Sequence, residues 1–127
     1  MTIADFCLLA AVILTIVSIA PAKLSGAREY DNANPRDPRF YTPGLRSRSQ
    51  GAHLNGYEAF PFFAAAVIVS QIVEGPSAMV GGLALAFVVA RIGHIAFYLA
   101  DRPPLRSACF FIGLALALVI FIHPAFR

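Results

Sequence analysis

The chain has 127 residues, of which 58% are hydrophobic and 13% charged, with a formal net charge of +3 at neutral pH. Soluble domains sit near about 45–50% apolar and 25% charged, so this composition excludes an ordinary soluble enzyme. The positive charge flanks apolar runs, which favours anionic lipid headgroups over nucleic acid as the neighbour.

Four apolar segments predict membrane spans over about 3–22, 50–74, 77–100 and 104–123, each near the roughly 20 residues that cross hydrocarbon. The first opens with Asp5 and is followed by Lys23 and Arg28, the reverse of a signal peptide, so Ala20-Pro21-Ala22 reads as part of a retained anchor rather than a cleavage site. A polar stretch over about 23–49 carries the turn signals Asn34-Pro35, Asp37-Pro38 and Pro43-Gly44 and is read as a loop. The second helix is expected to resume between Ser47 and His53, and Gly75-Pro76 makes a tight hairpin into the third, with Pro76 suited to a first turn. Asp101 to Pro104 closes the other hairpin, and His123-Pro124 ends the fourth helix. The expectation is one all-α domain over residues 1–127, an integral membrane antiparallel four-helix bundle.

Lys23, Arg28, Arg36, Arg39, Arg46 and Arg48 lie between the first and second spans, Arg102 and Arg106 between the third and fourth, and only Arg127 at the other side. By the positive-inside rule both connections are cytoplasmic and both termini face outward.

Within the third span Arg91, His94 and Tyr98 fall in a roughly 60° arc of one helical face at 100° per residue. An ionisable residue there costs on the order of 2.5–3.5 kcal/mol and is by default a functional candidate. At the start of the second span Asn55 and Glu58 share a face at i and i+3. Glu58 needs a cationic partner, and Arg91 on the neighbouring helix is expected to supply it, as part of a site or as an ion pair that fixes bundle register. Arg106 and Ser107 open the fourth helix at the depth of Tyr98, where free backbone N–H groups and the positive helix end favour an anion. Cys7 and Cys109 have no ligand-like spacing and read as buried thiols, so neither a disulfide framework nor a metal site is expected.

Two blocks, Ala52-His53-x-Asn55-x-x-Glu58 followed by Pro61, and Ala90-Arg91-Ile-x-His94-x-x-x-Tyr98-Leu with Arg106-Ser107 beyond, resemble the membrane-associated proteins in eicosanoid and glutathione metabolism, the MAPEG family. The second block is most similar to the microsomal prostaglandin E synthase branch, and loop-poor chains of this kind resemble bacterial members, which implies a bacterial inner membrane. The resemblance implies a homotrimer with glutathione as co-substrate, bound between subunits near the cytoplasmic face. Asn55, Glu58, Arg91, His94 and Tyr98 would bind the peptide, and Arg106 with Ser107 would be catalytic by stabilising its thiolate. The implied activity is a glutathione-dependent transferase or peroxidase acting on lipophilic electrophiles or hydroperoxides. A non-catalytic lipid-binding or scaffold role in the same family is the alternative. The chain departs from the branch pattern, having Gly51 and Leu54 where that pattern has arginines and Phe110 where that pattern has tyrosine.

Overall fold

A computed structural model describes residues 1–126; Arg127, the one basic residue assigned to the outer side, lies outside the described residues. The described residues form α1 (Ile3–Val17), α2 (Ala20–Ser25), α3 (Leu45–Glu74), α4 (Ala78–Leu99), α5 (Pro103–Ile122) and a final 3₁₀ turn, His123–Phe126. Four helical segments, Ile3–Ser25, Leu45–Glu74, Ala78–Leu99 and Pro103–Phe126, are long and apolar enough to cross a membrane. The all-helical, four-span bundle expected from hydropathy is what the chain adopts.

Around the bundle the order is α1, α3, α5, α4, with α3 and α4 also meeting across the centre. Small residues make this close approach possible: Ala4, Cys7 and Ala11 of α1, Ala66 of α3, Ala84 of α4 and Ala117 of α5 are all buried. In lipid, which is as apolar as leucine, such close packing rather than water exclusion drives association. Phe63 and Phe87 fill the middle, their rings stacked at 3.8 Å between centroids. Larger apolar side chains such as Phe6, Ile13, Phe62, Val89, Phe111 and Leu118 point outward.

The first span is broken rather than continuous over 3–22. Pro21 has no N–H to donate and its ring opposes the carbonyl four residues back, so α1 stops at Val17 and α2 restarts at Ala20. Backbone groups freed at a membrane boundary need partners, and α3 supplies them. The fully buried Ser49 hydroxyl donates to the Ser18 carbonyl at 2.7 Å and accepts from the Ala22 N–H at 3.2 Å. His53 Nδ1 donates to the Thr15 carbonyl at 2.7 Å. Gly56 sits against Thr15, where a Cβ would lie 2.7 Å from its Oγ1.

These contacts also explain why α3 begins at Leu45, earlier than the 47–53 window expected from hydropathy. Gly44 at φ +113° turns the chain out of Pro43, and the first helical turns are held by polar tertiary contacts that an apolar count does not register. Arg48 Nε donates to the Leu99 carbonyl at 3.1 Å, and its guanidinium lies 3.8 Å from Asp101. Arg46 bonds Glu29 at 2.6 Å and lies over the Phe40 ring at 4.9 Å. Phe40 is buried and meets Tyr30 and Tyr41 edge-on, so the 23–49 loop has a small aromatic core of its own.

At the far end Thr2 and Asp5 form a capping box, and Gln71 Nε2 donates to Thr2 Oγ1 at 2.9 Å and Asp5 Oδ1 at 3.0 Å. His123 Nδ1 lies 2.7 Å from Glu74 Oε2, which docks the 3₁₀ turn onto the end of α3. α4 ends in a Schellman motif: Asp101 sits at φ +57°, with the Arg102 N–H bonded to the Phe97 carbonyl at 2.9 Å and the Asp101 N–H to that of Tyr98 at 3.2 Å. That sharp stop places Arg106 and Ser107 beside the last turns of α4.

Candidate functional site

Gly51, Asn55 and Glu58 lie at i, i+4 and i+7 on α3, one face of the helix, and that face meets the polar faces of α4 and α5. Asn55, Glu58, His94, Tyr98, Arg106 and Ser107 line a single cavity of about 440 Å³, completed by Gly51, Leu54, Phe110 and Phe111. Six of the seven residues singled out by sequence are therefore brought together. The seventh, Arg91, is displaced from this wall and lines an adjoining apolar cavity of about 330 Å³, which shares Glu58 and Phe110 with the first.

The expected direct Glu58–Arg91 ion pair is replaced by a relay. Arg91 Nη1 donates to Asn55 Oδ1 at 2.8 Å, and Asn55 Nδ2 contacts Glu58 Oε2 at 3.4 Å. The physical reason is reach: Arg91 is only 5% exposed and packed in the bundle, whereas Glu58 is on the exposed side of α3, and Asn55 lies one turn from Glu58 between them. Arg91 Nη2 is buried without a partner among the described residues.

His94 is buried, and its Nδ1 donates to the Arg106 carbonyl at 3.1 Å, which pins α4 to the first turns of α5. With Nδ1 donating, Nε2 of the neutral ring is an acceptor, and it has no partner among the described residues. Tyr98 stands edge-on to His94 at 5.5 Å, and the Arg106 guanidinium lies over the Tyr98 ring at 4.4 Å. Tyr98 in turn rests on Gly51 so closely that a Cβ there would collide with its hydroxyl. Gly51 is thus a seat for Tyr98, a role that sequence reading, which noted it only as a missing arginine, did not give it.

The backbone at the start of α5 offers less to an anion than expected. Pro103 and Pro104 have no N–H, and the Arg106 N–H is already bonded to the Arg102 carbonyl at 3.0 Å. Beyond the Leu105 N–H, the groups available to an anion there are the Arg106 side chain, the Ser107 hydroxyl and the helix dipole.

Two features of the site were not legible. Arg48 and Ser49 fix the ends of α4 and α1 against α3, yet in sequence they look like loop residues. The apolar cavity is lined by Ala59, Phe62, Phe87, Gly113, Leu114 and Ala117, residue types indistinguishable in sequence from lipid-facing ones. On the opposite side of α3, a basic concavity of about 620 Å³ carries Lys23, Arg36 and His53 and shares Leu54 with the polar cavity.

A four-span bundle with a polar, cation-bearing cavity cut into one end defines an integral membrane protein. A model of the MAPEG family matches residues 3–126, nearly the whole chain. The chain belongs to the MAPEG family. No curated protein and no solved structure matches it.

Proposed function

We propose that the protein is a glutathione-dependent transferase or peroxidase of the membrane, acting on lipophilic electrophiles or hydroperoxides. The observation that supports this most is the convergence of Asn55, Glu58, His94, Tyr98, Arg106 and Ser107 on one cavity. Glutathione offers an ammonium, two carboxylates and a thiol. Glu58 is the carboxylate for the ammonium, and Asn55, held in place by Arg91, adds a polar wall beside it. His94 Nε2 accepts from a peptide N–H, and Tyr98 holds both the peptide and Arg106. The Arg106 guanidinium, with the Ser107 hydroxyl, stabilises the thiolate, which is the reactive form of the sulfur. The thiolate then bonds the electrophilic atom, and the electron pair leaves with the displaced group or moves onto the electrophile.

The assembly we propose is a homotrimer with the ligand between subunits at the cytoplasmic face, the side to which the basic loop residues assign it. Glu58 is exposed on the single chain, in an otherwise apolar part of α3. A carboxylate facing lipid is costly, and a neighbouring copy would cover it. With Gly51 and Leu54 in place of arginines, the cavity's one cation, Arg106, is engaged by the thiolate, and the two glutathione carboxylates have none there. The Lys23 and Arg36 concavity of a neighbouring copy would supply the missing charge.

Calorimetric titration of glutathione into the detergent-solubilised protein tests the reading. Saturable binding at millimolar concentration or below, weakened by Glu58→Gln, is expected. No binding at millimolar concentration would replace the enzyme with a lipid-binding scaffold.

A further inference from the structure

We propose that the basic concavity on the α1 side of α3 is the seat of an anionic phospholipid, its phosphate held by Lys23 and Arg36 and one acyl chain lying in the groove below, between α1 and α3. Lys23, Arg36, Gln50 and His53 line the concavity, and no carboxylate does. The acidic side chains of the same loop are engaged elsewhere: Arg46 holds Glu29 at 2.6 Å, Arg39 holds Asp37 at 2.9 Å, and Asp31 accepts from the Ala33 N–H at 2.8 Å. Among the described residues neither Lys23 nor Arg36 forms an ion pair. Two uncompensated cations in an acid-free hollow call for an anion. At the cytoplasmic face, where the positive-inside rule puts them, the leaflet itself supplies anionic headgroups.

What makes the anion a lipid is the groove. Val12, Thr15, Ile16, Tyr57 and Phe60 line a narrow cleft of about 130 Å³ that shares Ile16 and Tyr57 with the concavity. The Thr15 hydroxyl donates to the Ala11 carbonyl at 2.9 Å, so it does not make the cleft polar. At 1.5 Å per residue, Gln50 to Phe60 spans about 15 Å along α3, half of a hydrocarbon thickness of about 30 Å. The charged end thus sits at headgroup level and the apolar end runs inward along the path of an acyl chain, the order in which a phospholipid presents the same groups. Tyr57, 56% exposed and edge-on to His53 at 5.0 Å, stands at the junction, the place of an interfacial aromatic ring. A free anion would use only the hollow, whereas a phospholipid uses both parts. The site belongs to the single chain and does not rest on the thiol reading; under that reading, the lipid and a neighbour's glutathione exclude one another there.

The test is native mass spectrometry of the detergent-solubilised full chain titrated with phosphatidylglycerol, with phosphatidylcholine of the same acyl chains, and with glycerol phosphate. Retention of phosphatidylglycerol about tenfold tighter than phosphatidylcholine is expected, with no glycerol phosphate held at the same concentration. Lys23→Gln combined with Arg36→Gln should lower phosphatidylglycerol affinity about tenfold or more, whereas Arg28→Gln combined with Arg102→Gln, which removes two exposed charges outside the concavity, should leave it within about twofold. Val12→Trp, which fills the groove without touching a charge, should also weaken retention severalfold. Equal retention of the two lipids, an equal loss in both double variants, or glycerol phosphate bound as tightly as phosphatidylglycerol would overturn the proposal. Glutathione titration of the same sample separates the two ideas: selective lipid retention without glutathione binding sinks only the thiol reading, and glutathione binding without selective retention sinks only this one.

Discussion

Replacing Asn55 by leucine tests the relay that stands where a direct ion pair was expected. Asn55 Oδ1 is the hydrogen-bond acceptor for the buried Arg91 guanidinium at 2.8 Å, and Arg91 Nη2 has no partner among the described residues. A hydrogen bond to a charged group contributes about 1.5–3 kcal/mol in water-soluble proteins. Membrane pairs measured by double-mutant cycles average about 0.6 and reach about 1.7 kcal/mol, because the unfolded chain in lipid also finds partners. The charge puts Asn55→Leu at the upper end, a loss of about 1.5–2 kcal/mol. Glu58→Gln, by contrast, alters an exposed side chain with only a 3.4 Å amide contact, and should cost under about 0.5 kcal/mol. In the Arg91→Met background, Asn55→Leu should cost almost nothing, because the charge it satisfied is gone. Unfolding in mixed micelles titrated with a denaturing detergent, followed by circular dichroism, gives all the values of the cycle. If Glu58→Gln costs as much as Asn55→Leu, or if Asn55→Leu and Arg91→Met are additive, Arg91 is held by the carboxylate and the relay is wrong.

Ser49→Ala should destabilise by about 1–3 kcal/mol, since it orphans the buried Ser18 carbonyl, while the Ala22 N–H keeps its second bond, to the Ile19 carbonyl at 3.2 Å; a loss under about 0.5 kcal/mol in the same unfolding assay would show that the break in the first span needs no bridge. Gly51→Ala should cost about 1–3 kcal/mol by pushing Tyr98 off its seat, and Tyr98→Leu in the same chain should recover most of that; equal losses in the single and double variants would contradict the seat. Arg46 holds the Glu29 carboxyl below its ordinary value of 4.5 through a hydrogen bond. A depressed carboxyl contributes stability above its unfolded value and loses it as pH falls through the folded one. Hydrogen exchange in residues 26–46 should therefore stay slow from neutral pH down to about 4.5 and accelerate, after correction for intrinsic rates, only below it; acceleration that persists unchanged in Glu29→Gln would assign it elsewhere.

What could be read in the chain beforehand follows from which forces leave a mark in composition. The four spans were legible because hydrocarbon imposes a length and an apolar run on any helix that crosses it. The polar cavity was legible because Asn55, Glu58, His94, Tyr98 and Arg106 are costly in such runs and fall on helical faces. The break at Ser18–Ile19 was signalled by Pro21, but its repair by Ser49 depended on a contact 27 residues away in sequence. Similarly, the early start of α3 follows from Arg46 and Arg48 bonding to groups on other segments, and hydropathy is blind to that. Asn55 came between Arg91 and Glu58 because residues three apart on α3 share a face, whereas charge matching alone considers only the two ions. The weak backbone anion site at α5 was implicit in Pro103-Pro104, since proline has no N–H to offer. The apolar cavity left no trace, because alanine, phenylalanine and leucine read alike whether they face lipid or a ligand.

The proposed chemistry depends on a thiolate held by Arg106, and ultraviolet difference absorbance of bound glutathione measures that species itself. With the wild-type protein saturated near neutral pH, the thiolate band should be present, the bound thiol having titrated below its value in solution. Arg106→Ala should abolish the band while glutathione still binds, because the guanidinium acts on the sulfur more than on the rest of the peptide; Ser107→Ala should weaken it less, having removed a neutral hydrogen bond rather than a charge. A wild-type protein that binds glutathione with no thiolate band, or a band that survives Arg106→Ala undiminished, would contradict it.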